Sequence, residues 1–199
     1  MRAVRQGWRT SKGGQRRVDG FNFMFSLFGL LLGLALAEGL GGLSRAIKAS
    51  HKVRIGYPTA LLGIFVSCDV VTFWMYGWTL RNVLPVTWPV LFCGFVITGV
   101  YYVSTSLIFP GEPEEWGDLD AHFVKHGRKV LVGVALCNVA LLAATIGLFG
   151  MLPLTWRTAV VTWSFFPVSL LAILAWRRRP VVLACLVWLI ALYPLSVFW

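Results

Sequence analysis

One acid stands out because of its surroundings. Asp69 lies twelve residues after Tyr57 and twelve before Arg81, inside an otherwise apolar run. If that run crosses a bilayer, Asp69 is near its middle, where a charge costs roughly 2.5–3.5 kcal/mol on insertion scales. Such a residue is expected to face the interior of a helix bundle, where it can serve as a proton or cation site. Thr72 and Tyr76, at i+3 and i+7, fall on the same helical face. The structural alternative is an interior acid that only ties helices together, with Asn138 as the expected hydrogen-bond partner.

A second acid, Glu38, precedes Arg45 by seven residues. Seven residues is close to two turns, about 10.5 Å of rise, so one helix face carries both. The long Arg45 side chain can snorkel back toward the carboxylate. The pair reads either as a structural link near an interface or, together with Asp69, as two steps of one polar path. Gly39, Gly41 and Gly42 would leave space beside it.

The third constellation lies between Pro110 and Lys129, which holds five of the eight acids. If 118–129 is helical, Asp118, His122 and His126 share one face at i, i+4 and i+8. Histidines at i and i+4 can bind zinc, although the general-base Glu of an HExxH motif is missing. The competing reading is an amphipathic interfacial helix whose acidic start and basic end match the helix dipole. His51 is expected on the same side of the membrane, but no CxxCH pattern supports haem. No GxSxG, P-loop, GxGxxG or paired-carboxylate arrangement occurs in a usable context, and no cofactor is expected.

Composition says which elements must position these residues. Of 199 residues, 58% are hydrophobic and 13% charged, against roughly 45–50% and 25% in soluble proteins. That excludes a disordered chain, a small disulfide scaffold and an ordinary soluble enzyme. The chain reads as an all-α, polytopic transmembrane helix bundle. A spanning helix needs about 20 apolar residues, and six runs qualify: about 21–43, 57–80, 86–109, 130–152, 158–176 and 181–199. Residues 1–20 form a basic tail, and 21–199 form a single transmembrane domain with no room for a separate soluble one. Trp88, Trp156, Trp176 and Trp199 sit near predicted span ends, as in an aromatic belt. Cys68, Cys93, Cys137 and Cys185 all fall in apolar runs without a CxxC pair, and read as buried thiols.

Two finer patterns run through the spans. Small residues recur at Gly29, Gly33, Ala37 and Gly41, and again at Gly133, Cys137, Ala140, Ala144 and Gly147. Such stripes let helices approach closely, and here packing within the chain is favoured over a dimer face. In addition, Leu84-Pro85-Val86-Thr87-Trp88 recurs as Leu152-Pro153-Leu154-Thr155-Trp156, and Cys68-Asp69-Val70 as Cys137-Asn138-Val139. Copies two spans apart have the same orientation, so this reads as a parallel repeat of a helix pair.

The net charge of +10 would point to nucleic acid in a soluble protein. Here basic residues flank spans and meet anionic lipid, and no nucleic-acid partner is expected. The connections after spans one, three and five carry Arg45, Lys48, Lys52, Arg54, Lys125, Arg128, Lys129, Arg177, Arg178 and Arg179. These loops belong in the cytoplasm by the positive-inside rule. The tail, with Arg2, Arg5, Arg9, Lys12, Arg16 and Arg17, lies across the membrane from them and makes the opposite demand. Initiation at Met24, or a signal peptide cleaved after Ala37, would remove the conflict. The loops are given precedence, in a bacterial inner membrane.

Three functions compete. A small transporter or channel would use Asp69 and Glu38, with Asn138, Thr72 and Tyr76 beside them. A non-catalytic subunit would meet a membrane partner, or a second copy of itself, through the 110–129 loop. A membrane enzyme would hold a metal at Asp118, His122 and His126. The first is the leading expectation, because acids within spans are rare and expensive.

Overall fold

The computed structural model describes residues 2–49, 56–111, 119–150 and 156–198; side chains at 2–19, 49, 157–158 and 196–198 are outside that description. Six helices account for nearly all of it: α1 (Arg2–Ala49), α2 (Tyr57–Thr79), α3 (Trp88–Ser106), α4 (Leu119–Phe149), α5 (Trp156–Leu174) and α6 (Arg179–Phe198). Among the described residues there is no strand. In hydrocarbon every backbone polar group must be satisfied within its own segment, and the helix does this for an apolar run. Four helices are long and apolar enough to cross a membrane: Gly20–Lys48 within α1, Tyr57–Asn82, Trp88–Ser106 and Leu119–Phe149. The apolar parts of α5 and α6, Ala159–Leu174 and Arg179–Leu195, are shorter.

Local signals explain several boundaries. Gly56, in extended backbone, caps α2, with proline in its first turn. Thr87 holds the equivalent position before α3, and its carbonyl accepts the first helical bond from Leu91 N–H at 3.0 Å. Its hydroxyl makes no cap bond, so Thr87 caps by backbone geometry alone. Gly150, with φ +69°, ends α4 in the left-handed region that glycine adopts freely. The Leu152–Thr155 part of the second repeat copy lies outside the described residues.

Two elements differ from the sequence reading. The basic tail is continuous with span one in a single helix of 48 residues, about 72 Å long and more than twice a hydrocarbon core. The segment expected as a separate interfacial helix is the first turns of α4, a helix of 31 residues.

Helix α2 is the hub, packing against α1, α3, α4 and α6. Helix α1 lies on α2 and α3, while α5 pairs with α4 and α6. The face α1 buries is not the expected stripe. Leu32, Ala35, Gly39, Gly42 and Ala46 are buried, alternating three and four residues apart as in a coiled-coil seam. Gly42 lies against the Phe109 ring, where a Cβ would overlap it. By contrast, Gly33 has open space around it and Ala37 is exposed. In α4 the stripe is half right. Gly133 meets Ser104 closely and Cys137 is buried, but Ala144 is exposed and Gly147 has no neighbour within reach.

At one end of the bundle, α2, α3, α4, α5 and α6 are stitched together. The buried Thr59 hydroxyl donates to Leu119 O at 3.1 Å. His122 Nε2 lies 3.1 Å from Leu107 O. Trp176 Nε1 donates to Val124 O at 3.1 Å, and its ring stacks on Phe123 at 4.8 Å. Arg179 pairs with Asp120 at 3.7 Å. Arg45, Lys48, Lys125, Arg128, Lys129, Arg177 and Arg178 are exposed at the same end, which is therefore the basic one.

Candidate functional site

At mid-length of α2, the Asp69 carboxylate is 3% exposed. Three neighbouring helices each send one hydrogen-bond donor to it. From α3, the Tyr101 hydroxyl donates to Oδ2 at 2.7 Å. From α4, Asn138 Nδ2 donates to Oδ2 at 2.9 Å. From α6, the Tyr193 hydroxyl donates to Oδ1 at 2.8 Å. The acid thus joins four helices at one point.

Each donor is itself held in place. The Tyr101 ring is wholly buried and meets Phe73 edge-on at 5.0 Å. Tyr193 packs near Phe65, with ring centroids 6.4 Å apart. The Asn138 amide also reaches Val134 O at 3.1 Å and the Tyr101 oxygen at 3.3 Å. Its two hydrogens are therefore divided among acceptors of the cluster and its own helix turn. This network is built of packed aromatic rings and a helix backbone, which leaves the polar atoms little freedom.

The donors are all neutral groups. A carboxylate accepts about four hydrogen bonds over its two oxygens; Oδ2 takes two here and Oδ1 one. Among the described residues no Lys or Arg pairs with Asp69, and no basic residue occurs inside any of the six apolar runs. Bonds to a charged group contribute about 1.5–3 kcal/mol each. When the acid is ionised they offset part of its loss of water without supplying a counter-charge.

Beside the acid lies a cavity of about 910 Å³. Its floor is α2, through Cys68, Thr72 and Tyr76, and its walls come from α1 on one side and from α5 and α6 on the other. Leu36 and Leu40 form the first wall, and Phe165, Trp188 and Tyr193 the second. The lining is mostly apolar and aromatic. Tyr193 is the contact between the two features, since its ring lines the cavity while its hydroxyl bonds Asp69.

The expected residues separate into three places. Asp69 and Asn138 come together, as the sequence reading expected. Thr72 and Tyr76 line the cavity instead of joining the carboxylate; the Thr72 hydroxyl donates to Cys68 O at 2.9 Å, the common habit of Thr in a helix. Glu38 is elsewhere, paired with Arg45 at 3.7 Å with both side chains about half exposed. Among the described residues no direct hydrogen bond or ion pair links Glu38 to the Asp69 cluster. Tyr101 and Tyr193 were not picked out from the sequence. The available signal was a tyrosine inside an apolar run instead of at its rim, where the hydroxyl must find a partner.

His122 and His126 stack on α4 with ring centroids 4.6 Å apart. Among the described residues no group of three His, Cys, Asp or Glu side chains is placed to hold a metal ion. Asp118, the third expected ligand, lies outside the described residues, as do Glu112, Glu114 and Glu115 of the loop expected to meet a partner. Compared with known proteins, the chain matches no family model, and no curated protein or solved structure is similar to it.

Proposed function

We propose that the chain is an integral membrane protein of six spans that binds a proton or a cation at Asp69 and carries it across the bilayer. One observation carries this reading: a carboxyl group buried among four helices and held, among the described residues, by neutral donors alone, in a chain whose six apolar runs contain no basic residue. An unbalanced acid at that depth is costly to keep. A purely structural joint would be served as well by an amide, which accepts and donates without a charge. The cavity reaching Tyr193 supports the same reading, because it brings open space to within one side chain of the acid.

In this arrangement α5 and α6 complete the bundle as spans five and six, and α2–α3 and α4–α5 are the two copies of a helix pair. The contact between Asp69 and Asn138 supports that repeat, since they are corresponding positions of the copies. One copy keeps the acid and the other supplies the amide that binds it.

The test is flux in proteoliposomes. Purified protein under an imposed proton gradient is expected to pass protons or cations, and Asp69→Asn is expected to abolish this while remaining monodisperse. Flux that is unchanged in a folded Asp69→Asn protein rejects the reading.

A second reading follows from the three bonds that tie Asp69 to α3, α4 and α6. Asp69 also acts as a joint, and its loss should loosen α3, α4 and α6 together. Unfolding of Asp69→Asn that matches wild type would reject the joint but leave the transport reading in place.

A further inference from the structure

The cavity is shaped by what lines it as much as by its volume. At about 910 Å³ it lies within the ~300–1,000 Å³ range of small-molecule sites. Few of its lining residues carry a hydroxyl, namely Ser67, Thr72, Tyr76, Thr79 and Tyr193, and those of Ser67, Thr72 and Thr79 donate to carbonyls of their own helix. Four aromatic rings face it, from Tyr76 on α2, Phe165 on α5, and Trp188 and Tyr193 on α6. Among the described residues no basic side chain lines it. Val71, Met75, Tyr76, Val160, Trp188 and Leu195 are exposed at the bundle surface as well as lining the space. The cavity is therefore open at the side of the bundle, where the proposed spans meet lipid.

An aromatic-lined, laterally open space beside an acid with no basic partner among the described residues has one complementary occupant when that acid is ionised. A neutral lipid chain would fill the space without meeting the acid, and an anion would be repelled by it. A lipophilic monocation satisfies both features. Its apolar body replaces lipid against Leu36, Leu40 and Val161, its charge is attracted by the ring faces, and it balances Asp69. We infer that the cavity is the binding site for one lipophilic cation, with Asp69 as its counter-ion and Tyr193 as the residue between them. The inference rests on the reading of Asp69 as a cation site and names the class of cation.

Tyr193 defines how the two meet. Among the described residues its hydroxyl is the one donor to Oδ1, while Oδ2 accepts from both Tyr101 and Asn138. Moving Tyr193 exposes Oδ1 to the cavity without breaking the other two bonds. Pro194 follows it inside α6, where the missing N–H removes one backbone bond from that turn. The α6 turn at Tyr193 is thus the part of the cluster that moves at least cost.

The experiment is equilibrium binding of radiolabelled tetraphenylphosphonium to the purified full chain, with triphenylphosphine oxide as a neutral competitor. Wild type is expected to bind one equivalent saturably, and the neutral compound is expected not to displace it. Val161→Phe, which fills the cavity away from the carboxylate, should weaken binding by about tenfold or more. Asp69→Asn should weaken it by a similar factor. Tyr193→Phe keeps the ring but frees Oδ1, and should tighten binding by about threefold or more. Absence of saturable binding, equal displacement by the neutral compound, or a folded Asp69→Asn protein that binds as wild type does would each overturn the inference. If Asp69→Asn aggregates, the other two variants decide, and wild-type affinity in both overturns it. Proton or small-cation flux that depends on Asp69 while tetraphenylphosphonium fails to bind would reject this inference and leave the proposed function standing.

Discussion

At the residue scale the Asp69 cluster is a set of unequal bonds. Tyr101 and Asn138 share one oxygen and are anchored by packing and by the α4 backbone, whereas Tyr193 stands at the cavity wall. Tyr101→Phe keeps the ring on Phe73 and removes one donor to a buried acid, so it should lower unfolding free energy by about 1–3 kcal/mol. Tyr76→Phe, at an exposed lining position, should stay within about 0.5 kcal/mol. Denaturant titration of the two proteins in detergent checks both; equal stability would mean that the Tyr101 bond carries no net energy. Glu38→Gln should also cost little, about 0–1 kcal/mol, because its pair with Arg45 is solvated or interfacial and not sealed. Asn138 was legible in the sequence because Cys137-Asn138-Val139 matches Cys68-Asp69-Val70, which suggested it as a partner for Asp69. Tyr101 and Tyr193 were not, since they are 32 and 124 residues away in the chain, and only tertiary packing brings them to the acid.

At the element scale, periodicity told which segments are helical but not which face is buried. Hydropathy cannot separate Gly33 and Ala37 from Gly39 and Gly42, because all four are small. The seam is set by the partner rings instead, with Phe109 fitting over Gly42. Gly42→Leu should therefore cost about 1–3 kcal/mol by overpacking, while Ala37→Leu, on the exposed side of the same helix, should cost almost nothing. Thermal unfolding midpoints of the pair decide this. A larger loss for Ala37→Leu would point to a partner on that face. The start of α4 was missed for a related reason. Residues 119–129 are polar, and polarity suggested a separate interfacial helix. Yet Leu119, Phe123 and Gly127, one face of the same turns, are buried against neighbours, so the helix continues through them.

At the scale of the whole molecule, the stitched basic end and the alternating direction of the helices make a testable topology. All six apolar runs were legible as helices, and among the described residues four are long and apolar enough to cross a membrane. The shorter α5 and α6 complete six only if α5 crosses. Single cysteines at Asn82, Lys125 and Arg178, with the four native cysteines replaced by alanine, separate the cases with an impermeant thiol reagent. Six spans put positions 125 and 178 on one side and 82 on the other. Labelling of 178 together with 82 would mean that α5 does not cross. The basic residues at 125, 128, 129 and 177–179 should lie on the cytoplasmic side, whatever the tail at 2–17 demands, because they flank packed helix ends.

Reaction with an apolar carboxyl reagent distinguishes a working acid at Asp69 from a sealed joint. Dicyclohexylcarbodiimide added to the native protein in bilayers, with the adduct located by mass spectrometry, is predicted to modify Asp69, and tetraphenylphosphonium is predicted to slow that modification. An Asp69 that stays unmodified in the folded protein and reacts only after unfolding would contradict the working acid.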